Sequence, residues 1–172
     1  MASPGKTPTP AGQGKVRPLP PAGKSVAPAR PRVPLGTAAS LYLAVGLGSG
    51  IGGSIRWLLS DLMLVPFIAG FPWGTLFVNV TGSFLIGLYA ALAGPGGRLT
   101  AGPIQRHFFM TGLFGGYTTF SIFSLETIRL VETGHPGTAG LVVSLSLAGW
   151  MAAVWAGYTI GRQARVARPR RN

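Results

Sequence analysis

Asn79 is the only side-chain amide inside a long uncharged apolar run, and Thr75 and Ser83 lie four residues to either side of it. Residues four apart stack on one helix face, so the three form a polar stripe. Two chemistries are open to such a stripe. It can bond neighbouring helices, at ~0.6–2 kcal/mol per contact in lipid. Alternatively, its N–H and O–H groups can stand in for water around a small anion without fixing a charge in the membrane.

A second constellation lies further along, at Gly115-Gly116-Tyr117-Thr118-Thr119. Each glycine costs ~1 kcal/mol in a helix interior relative to alanine, and the threonines add to that. The segment therefore reads as an interruption in an otherwise apolar helix. Interrupted backbone survives at membrane depth only where protein or a cavity satisfies it. Its freed carbonyls suit a cation, and a restarting half-helix presents a positive N-terminus to an anion. Thr118 or Thr119 suits the N-cap of that restart. A packing kink is the plainer alternative. Phe120 and Phe123 follow on one face, and a phenyl ring offers a positive edge. Glu126 is the next polar group, and Arg56 closes an earlier apolar run. Ionisable residues at membrane depth mark functional sites, whereas shallow ones are ordinary interfacial charges.

These residues need elements to hold them. Four apolar segments, at about 38–59, 74–93, 108–130 and 138–161, each approach the ~20 residues that cross a bilayer. Backbone in lipid must satisfy itself, and no period-two alternation argues for a barrel, so the spans are expected to be helices. The expected fold class is all-α integral membrane, with four transmembrane helices and a broken third. Residues 1–36 carry nine of the fifteen prolines, six basic residues and no acidic or aromatic one. That composition predicts a disordered cytoplasmic tail, ahead of a membrane domain over 37–161 and a basic tail over 162–172.

Charge supports the same division. Hydrophobic residues make up 47% of the chain and charged ones 10%, against about a quarter charged in soluble domains. The net charge of +12 sits at the ends and in the middle loop, with thirteen of fifteen Lys and Arg on one predicted side. The positive-inside rule then places both termini in the cytoplasm, in a plasma membrane. Basic ends around apolar spans fit an anionic leaflet rather than nucleic acid. Cysteines are absent, and His107 and His135 lie near loops without metal-ligand spacing. No paired carboxylates or nucleophile–base pair suggests an enzyme. Two other functions compete with a channel. A proton-coupled exporter of the small multidrug type needs a buried carboxylate in its first helix, which here has none before Asp61. A structural tetraspan protein explains the small-residue pairs Gly46/Gly50, Gly48/Gly52, Ser83/Gly87 and Gly112/Gly116, but not the break, aromatic pair and amide stripe together.

Three segments in order resemble the Fluc/CrcB fluoride channels: Gly52-Gly53-Ser54-Ile55-Arg56-Trp57, the run from Gly74 to Gly87, and Gly112 to Glu126. The resemblance covers residues 38–161. It implies a fluoride-selective passive channel that exports fluoride from the cytoplasm. It also implies an antiparallel, dual-topology-type dimer enclosing two pores around a structural Na+. By position, Phe120 and Phe123 become pore phenyls and Asn79 a donor to fluoride. Thr75 and Ser121 join the polar path, and Arg56 attracts anions at a vestibule. The backbone carbonyls of Gly115 and Thr118 become sodium ligands. Tyr117 and Ile122 depart from the family pattern, Ile122 by removing a hydroxyl beside the path. In the fourth span Ser144 and Ser146 are the candidate polar positions. The one-sided basic bias further suggests a fixed orientation and a heterodimer with an oppositely oriented homologue, in place of a homodimer.

Overall fold

Long apolar runs punctuated by Gly and Pro fold here into helices wherever the backbone must satisfy its own hydrogen bonds. The computed structural model describes residues 34–62 and 70–166, among which no strand occurs. The tail expected over residues 1–36 lies outside the described residues up to residue 33, as does the C-terminal tail from residue 167. Helix α1 is Leu35–Leu62, α2 Trp73–Ala93 and α3 Pro103–His107; a π-helical segment follows at Phe108–Phe114. Then come α4 at Gly115–Tyr117, α5 at Ser121–Glu132 and α6 at Pro136–Val166. Four stretches are long and apolar enough to cross a membrane: Leu35–Leu59, Trp73–Ala93, Pro103–Glu132 and Pro136–Ala164. The chain is a multi-pass membrane protein.

Several helices overrun the limits expected from hydropathy, α6 by five residues beyond 161. The ends are set by backbone chemistry, not by the last apolar residue. Pro103 sits at the first turn of α3, where its missing N–H costs nothing. Gly134 takes φ 83° just past α5. Its N–H donates to the Val131 carbonyl at 3.0 Å, and the His135 N–H donates to that of Leu130 at 2.8 Å. This paired closure of a helix end needs a left-handed residue, which glycine supplies. Pro136 then starts α6.

Helix α2 packs most extensively on α6, and α1 packs on the π-helical segment and α4. On α1 the buried face repeats every four residues through Ala44, Gly48 and Gly52. A Cβ on Gly48 would meet the Phe108 carbonyl oxygen at 2.6 Å and the Leu113 nitrogen at 2.8 Å. Backbone therefore lies directly on backbone, the contact that small residues permit between membrane helices. A Cβ on Gly46 or Gly50 would meet no packing neighbour within 4 Å, so among the described residues only one of the two α1 glycine pairs is used. Tyr42, Leu43, Leu47, Met151 and Trp155 point outward, as a lipid-facing surface requires. The core cluster joins Phe71, Phe123, Leu130, Ala139 and Val142, with Trp150 packed against it.

Candidate functional site

The site is built around a stretch where the third span stops being helical. Helix α4 ends at Tyr117, Thr118 is extended at φ −82°, ψ 160°, and α5 begins at Ser121. Two intrinsic facts favour this. Glycines 115 and 116 weaken the helix before it, and the hydroxyls of Thr118 and Thr119 offer the backbone local partners. The Thr118 hydroxyl donates to the Phe114 carbonyl at 3.0 Å. The N-cap of α5 is Phe120, not Thr118 or Thr119, but the Ile122 N–H in its first turn donates to Thr119 Oγ1 at 3.2 Å.

Asn79 closes the break from α2. Its Nδ2 donates to the Thr119 carbonyl at 2.8 Å, and its Oδ1 accepts the Thr119 N–H at 2.7 Å. The side chain is 4% exposed. Both backbone groups of one residue are thus paired by one amide, which supplies in one place what the missing helix would have supplied. An amide has two N–H groups, so one remains after the bond to Thr119.

The aromatic pair follows directly. Phe120 and Phe123 have ring centroids 5.5 Å apart, yet their surroundings differ. Phe123 is 7% exposed, while Phe120 is 69% exposed on this chain. Phe123 meets Trp150 of α6 edge-on, at 5.0 Å and 71°, so a row of three rings links the break to α6. Phe123→Leu should lower unfolding stability in detergent by about 1–2 kcal/mol. Phe120→Leu should change it by less than ~0.5 kcal/mol, as at an exposed position. Comparing chemical unfolding midpoints of the two variants checks this.

The other expected residues are placed as follows. Thr75 is buried one turn before Asn79, and its hydroxyl stands next to the Glu126 carboxyl. Glu126 Oε2 is buried without a hydrogen-bond partner among the described residues. Ser121 is exposed, its hydroxyl 3.3 Å from Thr119 Oγ1. Arg56 continues the Gly48–Gly52 face of α1 and reaches the break, with Nε 3.5 Å from the Gly116 carbonyl oxygen. Ser144 donates to Gly140 of its own helix at 2.9 Å and is exposed, whereas Ser146 is buried.

The two carbonyls read as sodium ligands lie where the break diverts their helical donors. The Thr119 N–H, which would bond Gly115, goes to Asn79. The Ile122 N–H, which would bond Thr118, goes to Thr119 Oγ1. The Gly115 oxygen retains a contact from the Thr118 hydroxyl at 3.5 Å. All peptides described are trans, so the Thr118 carbonyl points opposite to the Thr119 N–H and hence away from Asn79.

Sequence reasoning missed two features. Trp150 lies one turn beyond Ser146 on α6, and its indole N–H is buried with no partner among the described residues. A tryptophan in mid-span is a usable signal, because its N–H needs an acceptor. The second is Thr81, whose hydroxyl meets the Tyr117 phenol at 2.9 Å.

A family model described as "CrcB-like protein, Camphor Resistance (CrcB)" matches residues 43–158. The chain is 53% identical over 122 residues to fluoride-specific ion channel FluC 1 of Rhodopseudomonas palustris strain BisB18, covering 71% of this chain and 86% of that protein. It is 50% identical over 119 residues to fluoride-specific ion channel FluC of Opitutus terrae, covering 69% and 90%. FluC 1 of Bradyrhizobium diazoefficiens is 48% identical over 120 residues, with 70% and 83% covered.

Proposed function

The chain belongs to the CrcB-like family, and from that premise we propose that it is a fluoride-specific ion channel of the plasma membrane that lets fluoride leave the cytoplasm passively. One observation supports this more than any other: Asn79 grips the broken backbone at Thr119 beside the Phe120–Phe123 pair. Neutral donors and the two phenyl rings are thereby brought together within the third span.

Fluoride gives up a tightly held water shell on entering a narrow passage, so donors along the path must replace it. In this reading the remaining Asn79 N–H, the Thr75 and Ser121 hydroxyls and the edges of Phe120 and Phe123 supply that replacement. The Trp150 N–H, one turn beyond Ser146 and without a partner among the described residues, adds a donor from α6. Arg56 draws anions toward the break. Chloride is wider and more weakly hydrated, so the same passage fits it poorly and compensates it less.

The freed carbonyls of Gly115 and Thr118 suit a hard cation, which takes oxygen ligands. One chain offers few of them. A second, antiparallel copy bringing its own pair would complete the set, and Na+ bound there would fix the two breaks against each other. Both termini are cytoplasmic in this reading, and the basic bias selects an oppositely oriented homologue as partner.

Efflux from liposomes tests the proposal, with fluoride and chloride electrodes read in parallel. Proteoliposomes holding this chain with an oppositely oriented homologue should release fluoride while retaining chloride, and this chain alone should insert only with its termini inside. Equal release of both halides would remove the fluoride-specific assignment. Robust flux from this chain alone in both orientations would remove the heterodimer.

A further inference from the structure

We propose that Tyr117 is a positioning residue, whose hydrogen bond to Thr81 on α2 fixes the backbone of the break and so aims the carbonyls offered to sodium. This rests on the sodium reading above and assigns a role to two residues outside the ion path. Tyr117 is the last residue of α4 and is buried, with its phenol oxygen 2.9 Å from Thr81 Oγ1.

The direction of that bond follows from counting hydrogens. The Thr81 hydroxyl has one, which it donates to the Phe77 carbonyl of its own helix, with Oγ1 2.8 Å from that oxygen. Thr81 therefore accepts, and the Tyr117 phenol donates. The next residue of α2 completes the seat. A Cβ on Gly82 would overlap the Thr118 methyl and lie 3.1 Å from the Tyr117 ring. Residues 117, 118 and 119 are thus each docked on α2, by Thr81, Gly82 and Asn79 in turn. Asn79 orients the peptide between Thr118 and Thr119. Tyr117 restrains the turn before it, which bears the Gly115 carbonyl.

The donor assignment predicts unequal effects. Thr81→Val leaves a buried phenol without an acceptor, whereas Tyr117→Phe leaves Thr81 still bonded to Phe77. In reconstituted channels Thr81→Val should raise the sodium concentration for half-maximal fluoride efflux about tenfold, and Tyr117→Phe about threefold. Thr81→Ser should behave as wild type, and the double variant should resemble Tyr117→Phe. The fluoride concentration for half-saturation should stay unchanged throughout, a split that general loosening would not produce. Amide exchange across residues 114–122, followed in detergent with and without sodium, should quicken in the same order. A sodium response that persists unshifted in Thr81→Val and Tyr117→Phe, with exchange as in wild type, would overturn the role given to Tyr117. Wild-type efflux and exchange both indifferent to sodium would instead overturn the sodium reading.

Discussion

Asn79→Ala is expected to cut fluoride efflux about a hundredfold, and the reason lies in the backbone before it lies in any contact with the ion. Its side chain holds both the N–H and the carbonyl of Thr119. Removing it strands two part-buried polar groups without their partner, at about 1–3 kcal/mol each. Even the lower half of that range totals about 3 kcal/mol, which is a hundredfold in rate if the open passage requires the paired state. The backbone would relax toward whatever partners it can find, carrying Phe120 and the Thr118 carbonyl with it. Asn79→Asp should be no better, because it keeps the acceptor but loses the donor and sets a negative charge against both the carbonyl and the anion. Initial efflux rates, normalised to incorporated protein, decide the matter. A rate for Asn79→Ala within threefold of wild type would mean that the clamp is dispensable.

Gly52→Ala should abolish the folded channel, whereas Gly50→Ala, two residues earlier, should not. A Cβ at Gly52 would overlap the Leu113 carbonyl and stand 2.8 Å from the Tyr117 nitrogen. Both are backbone atoms, so no rotamer change relieves the clash and α1 itself must back away. Arg56, one turn further on, would then leave the Gly116 carbonyl. Overpacking of this kind costs roughly 1–3 kcal/mol, and more where backbone must shift. Gly50 has open space around it, and alanine there gains helix propensity of about 1 kcal/mol. Yield and monodispersity on size exclusion separate the two, and similar profiles for both variants would refute the packing argument.

Much of this fold is legible in the sequence because a bilayer makes unusual demands. Four runs of apolar residues leave few alternatives to four helices, and the punctuation at 94–97 and 134–137 marks where two of them end. The stripe through Thr75, Asn79 and Ser83 is equally visible, since helical spacing alone puts it on one face. What remains hidden depends on neighbours. Asn79 bonds backbone rather than another side chain, and no residue type announces that. The π-helical turn at Phe108–Phe114 has no local signature either. Gly46/Gly50 and Gly48/Gly52 look alike on paper, yet only the pair facing the third span is covered. Tyr117 stands out as a departure from the family pattern, but its partner Thr81 looks like any threonine in a membrane helix.

Helix α6 has a consequence for anyone attaching something to this protein. Its 31 residues rise about 46 Å, against a hydrocarbon layer of roughly 30 Å. Arg162 and Arg165 near its C-terminal end favour that end as the one outside the hydrocarbon, so its final turns are expected to stand clear of the acyl chains as a stiff mast. A helical cargo spliced in phase after Val166 would inherit the orientation of the channel and serve as a fiducial for imaging, where a cargo on a loose tether would tumble.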